Sequence, residues 1–252
     1  MPQGPGPLGA SLSVVVPAHN SADVIEHTVS RLAARLAGTD AEVLVVENGS
    51  SDATAEVAGR LVDLEGAPRV RLLRSDKGMG NALRAGIAAS TGTMVLLSAD
   101  DLPFGFDDLD RAAELATRPD IVIGSKAHPD SDVERGALRS LSTWGFRMMR
   151  RIVLGSRVGD SQGTILADGP WLRAVAPDLD HPGFLFTTQL CFAAERQGLT
   201  IVEVPVRLSP DYAPKASTVR MSDVWAMGVG LMGLRRRGRR LAVPPDLPAR
   251  AS

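Results

Sequence analysis

Short apolar runs that stop at polar clusters, each followed by a helical periodicity, recur along the first hundred residues. The run 12–16 leads into Pro17-Ala18-His19-Asn20. The run 43–46 leads into Glu47-Asn48-Gly49-Ser50-Ser51-Asp52, and the run 70–73 precedes Lys77-Gly78-Met79-Gly80-Asn81-Ala82. A fourth run, 93–97, ends in Ser98-Ala99-Asp100-Asp101-Leu102. Runs this short, apolar and partly β-branched predict buried strands, the first of them stopped by Pro17. Between them, Val24, Ile25, Val29, Leu32 and Leu36 recur on one helical face, and Ala55, Val57, Ala58, Leu61 and Val62 on another, with Ser51 or Asp52 available as a cap. Strand, polar edge and helix in repetition predict an α/β fold: a single Rossmann-like domain whose central sheet is mostly parallel and flanked by helices. All the polar edges then fall on one side of the sheet, where open α/β sheets bind ligands.

Composition narrows the class. The chain has 252 residues, 44% of them hydrophobic, enough for one large domain with a full core. A net charge of −1 argues against general nucleic-acid binding. The single cysteine, Cys191, excludes an internal disulfide, suits a reducing cytoplasmic setting, and lies in an apolar helix as a packing residue. No run approaches the roughly 18–20 apolar residues that span a bilayer. The expected division is a disordered leader 1–10, a catalytic domain 11–220, an amphipathic, basic helix 221–241 and a disordered tail 242–252. In that helix an apolar stretch, 224–234, abuts Arg235-Arg236-Arg237-Gly238-Arg239-Arg240. The pairing suits either an anionic membrane surface or a core helix with a solvated basic end.

The polar clusters carry the candidate chemistry. Asp100 and Asp101, emerging from a buried strand, are hard oxygen ligands for Mg²⁺ or Mn²⁺ beside a diphosphate. The glycines after Lys77 allow close backbone approach at a helix start, which favours an anion, although a plain turn accounts for them nearly as well. The segment 135–151 carries Arg135, Arg139, Arg147, Arg150 and Arg151. Arg135 and Arg139 share a helical face and suit a phosphate, while Arg150 and Arg151 read equally well as an exposed basic face. His128 and His181 both precede proline and read as loop residues.

The order of these motifs resembles family 2 glycosyltransferases of the GT-A fold. Val14-Val15-Val16-Pro17-Ala18-His19-Asn20, the cluster 45–52, Lys77-Gly78-Met79-Gly80 and Leu97-Ser98-Ala99-Asp100-Asp101 fall in the family's sequence. The later part is similar to the polyprenyl-phosphate branch, which includes dolichyl-phosphate mannosyltransferase and glucosyltransferase. It has a strand ending Gly124-Ser125-Lys126, an arginine at 139, the segment Asp160-Ser161-Gln162-Gly163-Thr164, and a closing helix and strand that end in Glu203-Val204-Pro205-Val206.

The resemblance implies a metal-dependent, inverting transfer of a hexose from a nucleotide-diphosphate sugar, UDP- or GDP-linked, to a polyprenyl phosphate at the inner face of the cell membrane. It implies donor contacts at Pro17, His19, Glu47, Lys77 and Asp100, and a Mg²⁺ or Mn²⁺ site at Asp100 and Asp101. It places the acceptor near Arg135, Arg139, Gln162 and Gln189, with Asp100, Arg139 and Asp160 as the catalytic set. Asp160 is either a base or an anchor for Arg139. Departures from the pattern are Glu47 and Asn48 for aspartates, Ser98 for the first acid of the metal motif, Gln189 for an acid, and a shifted Lys215 in the segment 209–219. The rivals are a transferase acting on a soluble hydroxyl, such as that of a secondary metabolite, and a non-catalytic nucleotide-sugar-binding module.

Overall fold

The runs read as buried strands are strands, and their alternate residues feed two separate cores. The computed structural model describes residues 11–62, 68–133, 137–210 and 221–241, with backbone alone for 137–143, 221–227 and 239–240. In chain order it contains β1 Leu12–Ala18, α1 Ile25–Arg35, β2 Ala41–Glu47, α2 Thr54–Gly59, β3 Arg69–Arg74, α3 Met79–Ala89, β4 Met94–Leu97 and α4 Asp107–Ala113. There follow β5 Ile121–Ser125, α5 Ala137–Leu154, β6 Thr164–Asp168, α6 Gly169–Val175, α7 Leu185–Arg196, β7 Ile201–Pro205 and α8 Met221–Leu241.

The strands form one sheet in the order β3-β2-β1-β4-β6-β5-β7. Val14, Val16, Val43 and Val45 face α1, α2 and α4, where they meet Ile25, Val29, Leu32, Val57 and Leu109. Val15, Leu44 and Val46 face the opposite way, onto Leu83 and Ile87 of α3 and Phe186 and Leu190 of α7. A strand covered on both faces has no polar side to show, so it reads as a continuous apolar run. Helix α3 lies directly on β1: a Cβ added at Gly86 would stand 2.3 Å from Val15 Cγ1. A smaller cluster joins Leu231 and Leu234 of α8 to Leu185, and packs them on Phe146, Met149 and Val153 of α5.

Two features differ from the sequence expectation or refine it. β1 does not stop at Pro17 but runs through it to Ala18, still paired with β2. The Val15 carbonyl accepts from Ser98 N–H at 3.0 Å, so residue 17 points the same way, past the end of β4 at Leu97. The missing N–H of Pro17 would have found no strand partner there. The second feature is β6, which runs antiparallel to both β4 and β5. Leu97, the last residue of β4, lies beside Ile165 near the start of β6. The loop before β6 therefore opens on the same edge as the carboxyl ends of β1, β2, β4 and β5.

Candidate active site

That shared edge collects the polar clusters. Asp100 and Asp101 leave β4 and turn sharply, because Leu102 holds a φ of +42° with its side chain 3% exposed. A left-handed backbone costs a bulky residue about 1–3 kcal/mol, which burial of Leu102 offsets. Gly105 N–H closes the turn on the Leu102 carbonyl at 2.9 Å. Ser21 Oγ donates to Asp100 Oδ2, and Thr28 Oγ1 donates to the Asp100 carbonyl at 2.7 Å. Ser21 is itself fixed, its N–H donating to Thr54 Oγ1 at 2.7 Å and its Oγ accepting from His19 N–H at 3.1 Å. Asp100 is thus aimed by the β1 and β2 turns together, and its Oδ1 has no hydrogen bond among the described residues. These are hard oxygen donors and fit Mg²⁺ or Mn²⁺. No group of three His, Cys, Asp or Glu side chains able to hold a metal occurs among the described residues.

Around the β1 and β2 ends the side chains divide between fixed and open. Pro17 is buried, and His19 Nδ1 is buried without a partner. Glu47 is buried at the end of β2, with Oε1 accepting from Ser50 N–H at 2.5 Å and no hydrogen bond at Oε2 among the described residues. Asn48 is fully engaged as a clamp: Nδ2 donates to the Ala18 carbonyl at 3.0 Å and Oδ1 accepts from Gly78 N–H at 3.2 Å. Lys77 is exposed, with its stem against Gly49.

The expectation that an anion sits on the start of α3 needs correcting. Gly80 and Asn81 N–H already donate to the Pro182 carbonyl, at 2.8 and 3.2 Å. The fit is close enough that a Cβ on Gly80 would stand 2.1 Å from the His181 carbonyl. What Lys77 offers at this position is an exposed ammonium.

On the β5–β6 side, Asp160 is buried and its carboxylate is taken up locally. Oδ2 accepts from Lys126 N–H at 3.0 Å, with Lys126 Nζ at 3.9 Å, and Oδ1 accepts from Gln162 N–H at 3.0 Å. Lys126 Nζ also lies 5.6 Å from the ring centre of Phe104, three residues beyond Asp101. Lys126 therefore links the Asp160 loop to Phe104, in the segment that follows the acid pair. It was visible as the cation ending a strand, yet only the fold shows what it faces. Gln162 Nε2 donates to the Phe184 carbonyl at 2.9 Å.

Gln189 stands apart from this group. It is 0% exposed, accepts from His181 N–H at 3.2 Å, and donates to Asp180 Oδ1 at 3.2 Å and the Asp178 carbonyl at 3.4 Å. Its amide holds the 178–181 loop and presents no face to an acceptor. Arg135 lies outside the described residues. Arg139 lies on α5, its side chain outside them, as does most of the segment 209–219.

Arg150 corrects the reading of an exposed basic face. It is 2% exposed; its guanidinium donates to the Val158 carbonyl and to the Gly159 carbonyl at 3.3 Å, and its Nε is buried without a partner. Glu203 accepts from Gly159 and Asp160 N–H at 2.7 and 2.9 Å, and Glu195 accepts from Arg157 N–H at 2.6 Å. Burial lowers the pKa of Arg150, against the opposing pull of Cys191, Glu195, Asp160 and Glu203. One arginine and two glutamates therefore set the backbone of the loop that carries Asp160. The signal was present in the spacing, since Arg150 falls on the apolar stripe of Phe146, Val153 and Leu154.

Two further buried groups complete the picture. Burial pushes the Cys191 thiol up to about 12, which leaves it a packing residue. Asp108, at the start of α4, is raised by burial, against a hydrogen bond from Leu109 N–H at 2.8 Å. His181, lowered by burial, accepts from Gly183 N–H at 3.1 Å, and His128 accepts from Asp130 N–H at 3.2 Å; both are loop residues.

With this edge in view, the relatives can be set beside it. The chain is 29% identical over 253 residues to glycosyltransferase AglD of Haloferax volcanii, covering 97% of this chain and 39% of that one. It is 32% identical over 215 residues to a dolichyl-phosphate beta-glucosyltransferase of Drosophila melanogaster, covering 78% of this chain and 66% of that one. The chain thus spans from about two fifths to just under two thirds of the length of these relatives. Among solved structures it is similar to glucosyl-3-phosphoglycerate synthase from Mycobacterium tuberculosis bound to UDP, with a TM-score of 0.63 and 21% identity over 94% of this chain and 82% of that one. That synthase has also been crystallised with UDP beside Mn²⁺ or Mg²⁺. The likeness identifies the GT-A fold. The family model for glycosyl transferase family 2 matches residues 13–174, from the first strand through the Asp160 loop to the helix after β6, and the chain belongs to that family.

Proposed function

We propose that this chain transfers a hexose from a nucleoside-diphosphate sugar to a polyprenyl phosphate, with inversion, at the cytoplasmic face of a membrane. A phosphate oxygen of the acceptor attacks the anomeric carbon, the bond from that carbon to the donor diphosphate breaks, and the nucleoside diphosphate leaves. No proton has to be removed from such an acceptor, which is already ionised near neutral pH. The observation that carries this reading is the state of Asp160. Its two oxygens are engaged with Lys126 and Gln162, so the carboxylate that would serve as a base is instead a fixture. A hydroxyl acceptor needs a base within hydrogen-bond reach; a phosphate needs cations, and Lys126 stands at this edge with Arg139 on the neighbouring helix. The dolichyl phosphate in the name of the Drosophila relative supports the same class of acceptor.

On the donor side, His19 Nδ1 and Glu47 Oε2 are the polar atoms left for a base or ribose, and Lys77 for a phosphate. Asp100 would hold Mg²⁺ or Mn²⁺, with Asp101 beside it directly or through water and the donor phosphates completing the shell. The ion would neutralise charge gathering on the leaving diphosphate. With so few protein ligands, metal and donor bind as a pair.

The test is transfer from labelled nucleotide sugars, with Mg²⁺ or Mn²⁺, to a short-chain polyprenyl phosphate in detergent and, separately, to hydroxyl acceptors. The expected product is the glycosylated lipid phosphate alone. Arg139→Ala then raises the acceptor concentration required by about ten- to a hundredfold, the worth of one charge-assisted bond. Transfer only to hydroxyl acceptors, with a fall of about 10²–10⁴ in turnover for Asp160→Asn, overturns the reading in favour of a soluble acceptor. Donor binding with no transfer to either class makes the chain a binding module.

A further inference from the structure

The backbone from Arg157 to Asp160 belongs to no helix or strand, and side chains hold it in place. Glu195 Oε1 accepts from Arg157 and Val158 N–H at 2.6 and 3.3 Å, and the two oxygens of Glu203 accept from Gly159 and Asp160 N–H at 2.7 and 2.9 Å. Four consecutive N–H groups thus rest on two carboxylates. Both glutamates also wall a cavity of about 580 Å³ between the end of α5, the last turns of α7 and the first half of β7. That volume falls in the range of small-molecule sites. The cavity lies away from Asp100 and Lys77. Ile201, in its wall, pairs with Ile121, at the opposite end of β5 from Ser125.

Leu154, Phe192, Leu199 and Ile201 give the cavity an apolar wall, with Phe192 buried and the others half-buried. Arg157 and Arg196 line it too; both are exposed, and neither forms an ion pair among the described residues. The carboxylates have little left to offer. Three of their oxygens are engaged by the loop, and the fourth, Glu195 Oε2, is itself buried. A ligand here therefore meets an apolar wall and two guanidinium groups at the mouth.

We propose that this cavity is an effector site for a small amphipathic anion, an aryl or branched alkyl group carrying a phosphate or carboxylate, and that its binding steadies the Asp160 loop. Arginine takes such anions through paired, charge-assisted bonds, while the apolar body leaves water against Leu154, Leu199 and Ile201. A cation would face two arginines instead. The coupling follows from the walls. A ligand that binds the arrangement in which Glu195 and Glu203 hold the loop favours it over any arrangement in which the loop has let go. The site itself is independent of how the catalytic edge is read. Its effect on acceptor use rests on the lipid-phosphate reading, in which Asp160 is a fixture.

The experiment titrates the full, ¹⁵N-labelled chain with phenyl phosphate, in the presence of UDP and Mg²⁺. Inorganic phosphate and benzyl alcohol serve as the two half-ligands. Amide signals of 157–160, Glu195 and Leu199 are expected to shift, with each half-ligand at least about tenfold weaker. With phenyl phosphate at 100 times its Kd, hydrogen exchange of the 157–160 amides slows by up to about 100-fold. Leu199→Trp, which fills the cavity, and Arg196→Glu, which reverses charge at its exposed mouth, each abolish these effects. Both variants keep the wild-type melting midpoint and the wild-type transfer rate without ligand. In detergent, bound ligand lowers the polyprenyl phosphate concentration required by about fivefold or more.

Shifts that survive Arg196→Glu and Leu199→Trp, or that gather at Lys77 and Lys126, overturn the site. So does binding of inorganic phosphate as tight as that of phenyl phosphate. Shifts in the cavity with exchange unchanged overturn its hold on the loop. The two readings fail separately. Slower exchange of the loop in a chain that transfers only to hydroxyl acceptors keeps the effector site and loses the lipid-phosphate acceptor. Transfer to polyprenyl phosphate with no shift at 157–160 keeps the acceptor and loses the effector site.

Discussion

The two edges of the sheet each centre on a carboxylate, and they treat it oppositely. At the amino-terminal edge, Glu42 is 6% exposed and fully engaged. Ser13 Oγ donates to it at 2.7 Å, Thr91 N–H at 2.7 Å, Thr91 Oγ1 at 2.8 Å and Arg71 at 3.0 Å. At the carboxyl-terminal edge, among the described residues, Asp100 has Ser21 on one oxygen and no hydrogen bond on the other, beside a histidine nitrogen buried without a partner and an exposed lysine. Buried polar groups are ordinarily satisfied. A closed set of bonds stabilises the fold and leaves nothing to offer; an open set costs stability and leaves atoms to meet a ligand. The same contrast recurs within the carboxyl-terminal edge, where Asn48, Gln189 and Asp160 are closed and Asp100, His19 and Lys77 are open.

Substitutions can break or sharpen this contrast. The largest effect is expected from Asp100→Ala, which removes the proposed metal ligand and should lower transfer by at least about 10²-fold. Its stability should fall by only about 1 kcal/mol, the worth of the lost bond with Ser21. Transfer assays beside calorimetry check both, and a loss of activity explained by unfolding would erase the difference between the edges. Next is Glu42→Ala, which strands Arg71, Ser13 and the Thr91 N–H. A cost of about 3 kcal/mol is expected, with a midpoint about 6–12 °C lower and unchanged turnover per folded molecule.

The smaller effects are set by pH. Burial raises Glu42, but the hydrogen bonds from Ser13, Thr91 and Arg71 outweigh it and hold it below its ordinary 4.5. Its contribution is therefore present above that value and lost as pH falls through the lower folded one. Denaturant titrations in acid should show the wild type losing more stability than Glu42→Gln over that interval. Asp108 has the opposite sign. Its folded value lies above the ordinary 3.8, so its contribution is present below 3.8 and lost as pH rises through the folded value. Asp108→Asn should accordingly gain on the wild type between acid and neutral pH.

How much of this was legible in the sequence follows from what each feature depends on. Strands covered on both faces announce themselves as apolar runs, and the polar clusters at their ends had to share an edge once the crossovers were right-handed. Asp100 and Asp101 were legible because their place at a strand end is local. The hydroxyls that aim Asp100 were not: Ser21 and Thr28 lie 79 and 72 residues away along the chain. Nor was the closure of α3 by Pro182, since a glycine-rich helix start looks the same whether it waits for a phosphate or meets a carbonyl. Gln189 was misplaced because an amide replacing an acid suggests altered chemistry, when here it marks a loop tie. Arg150 was misread because charge was weighed above its position on the helix.

The reversed strand β6 has a consequence for how such a chain can be rebuilt. Gly124, near the end of β5, pairs with Thr164, the first residue of β6, so everything from 126 to 163 begins and ends on one edge of the sheet. That excursion carries Lys126, the whole of α5 and Asp160, while the proposed donor-side residues before Leu102 lie outside it. It is in effect a cassette. Its two ends are fixed one strand apart, and changing the length of chain between fixed ends costs little, about 0.6 kcal/mol per doubling. A chimera that exchanges this cassette between family members would separate the proposed acceptor side from the proposed donor side, with no crossover of the sheet disturbed.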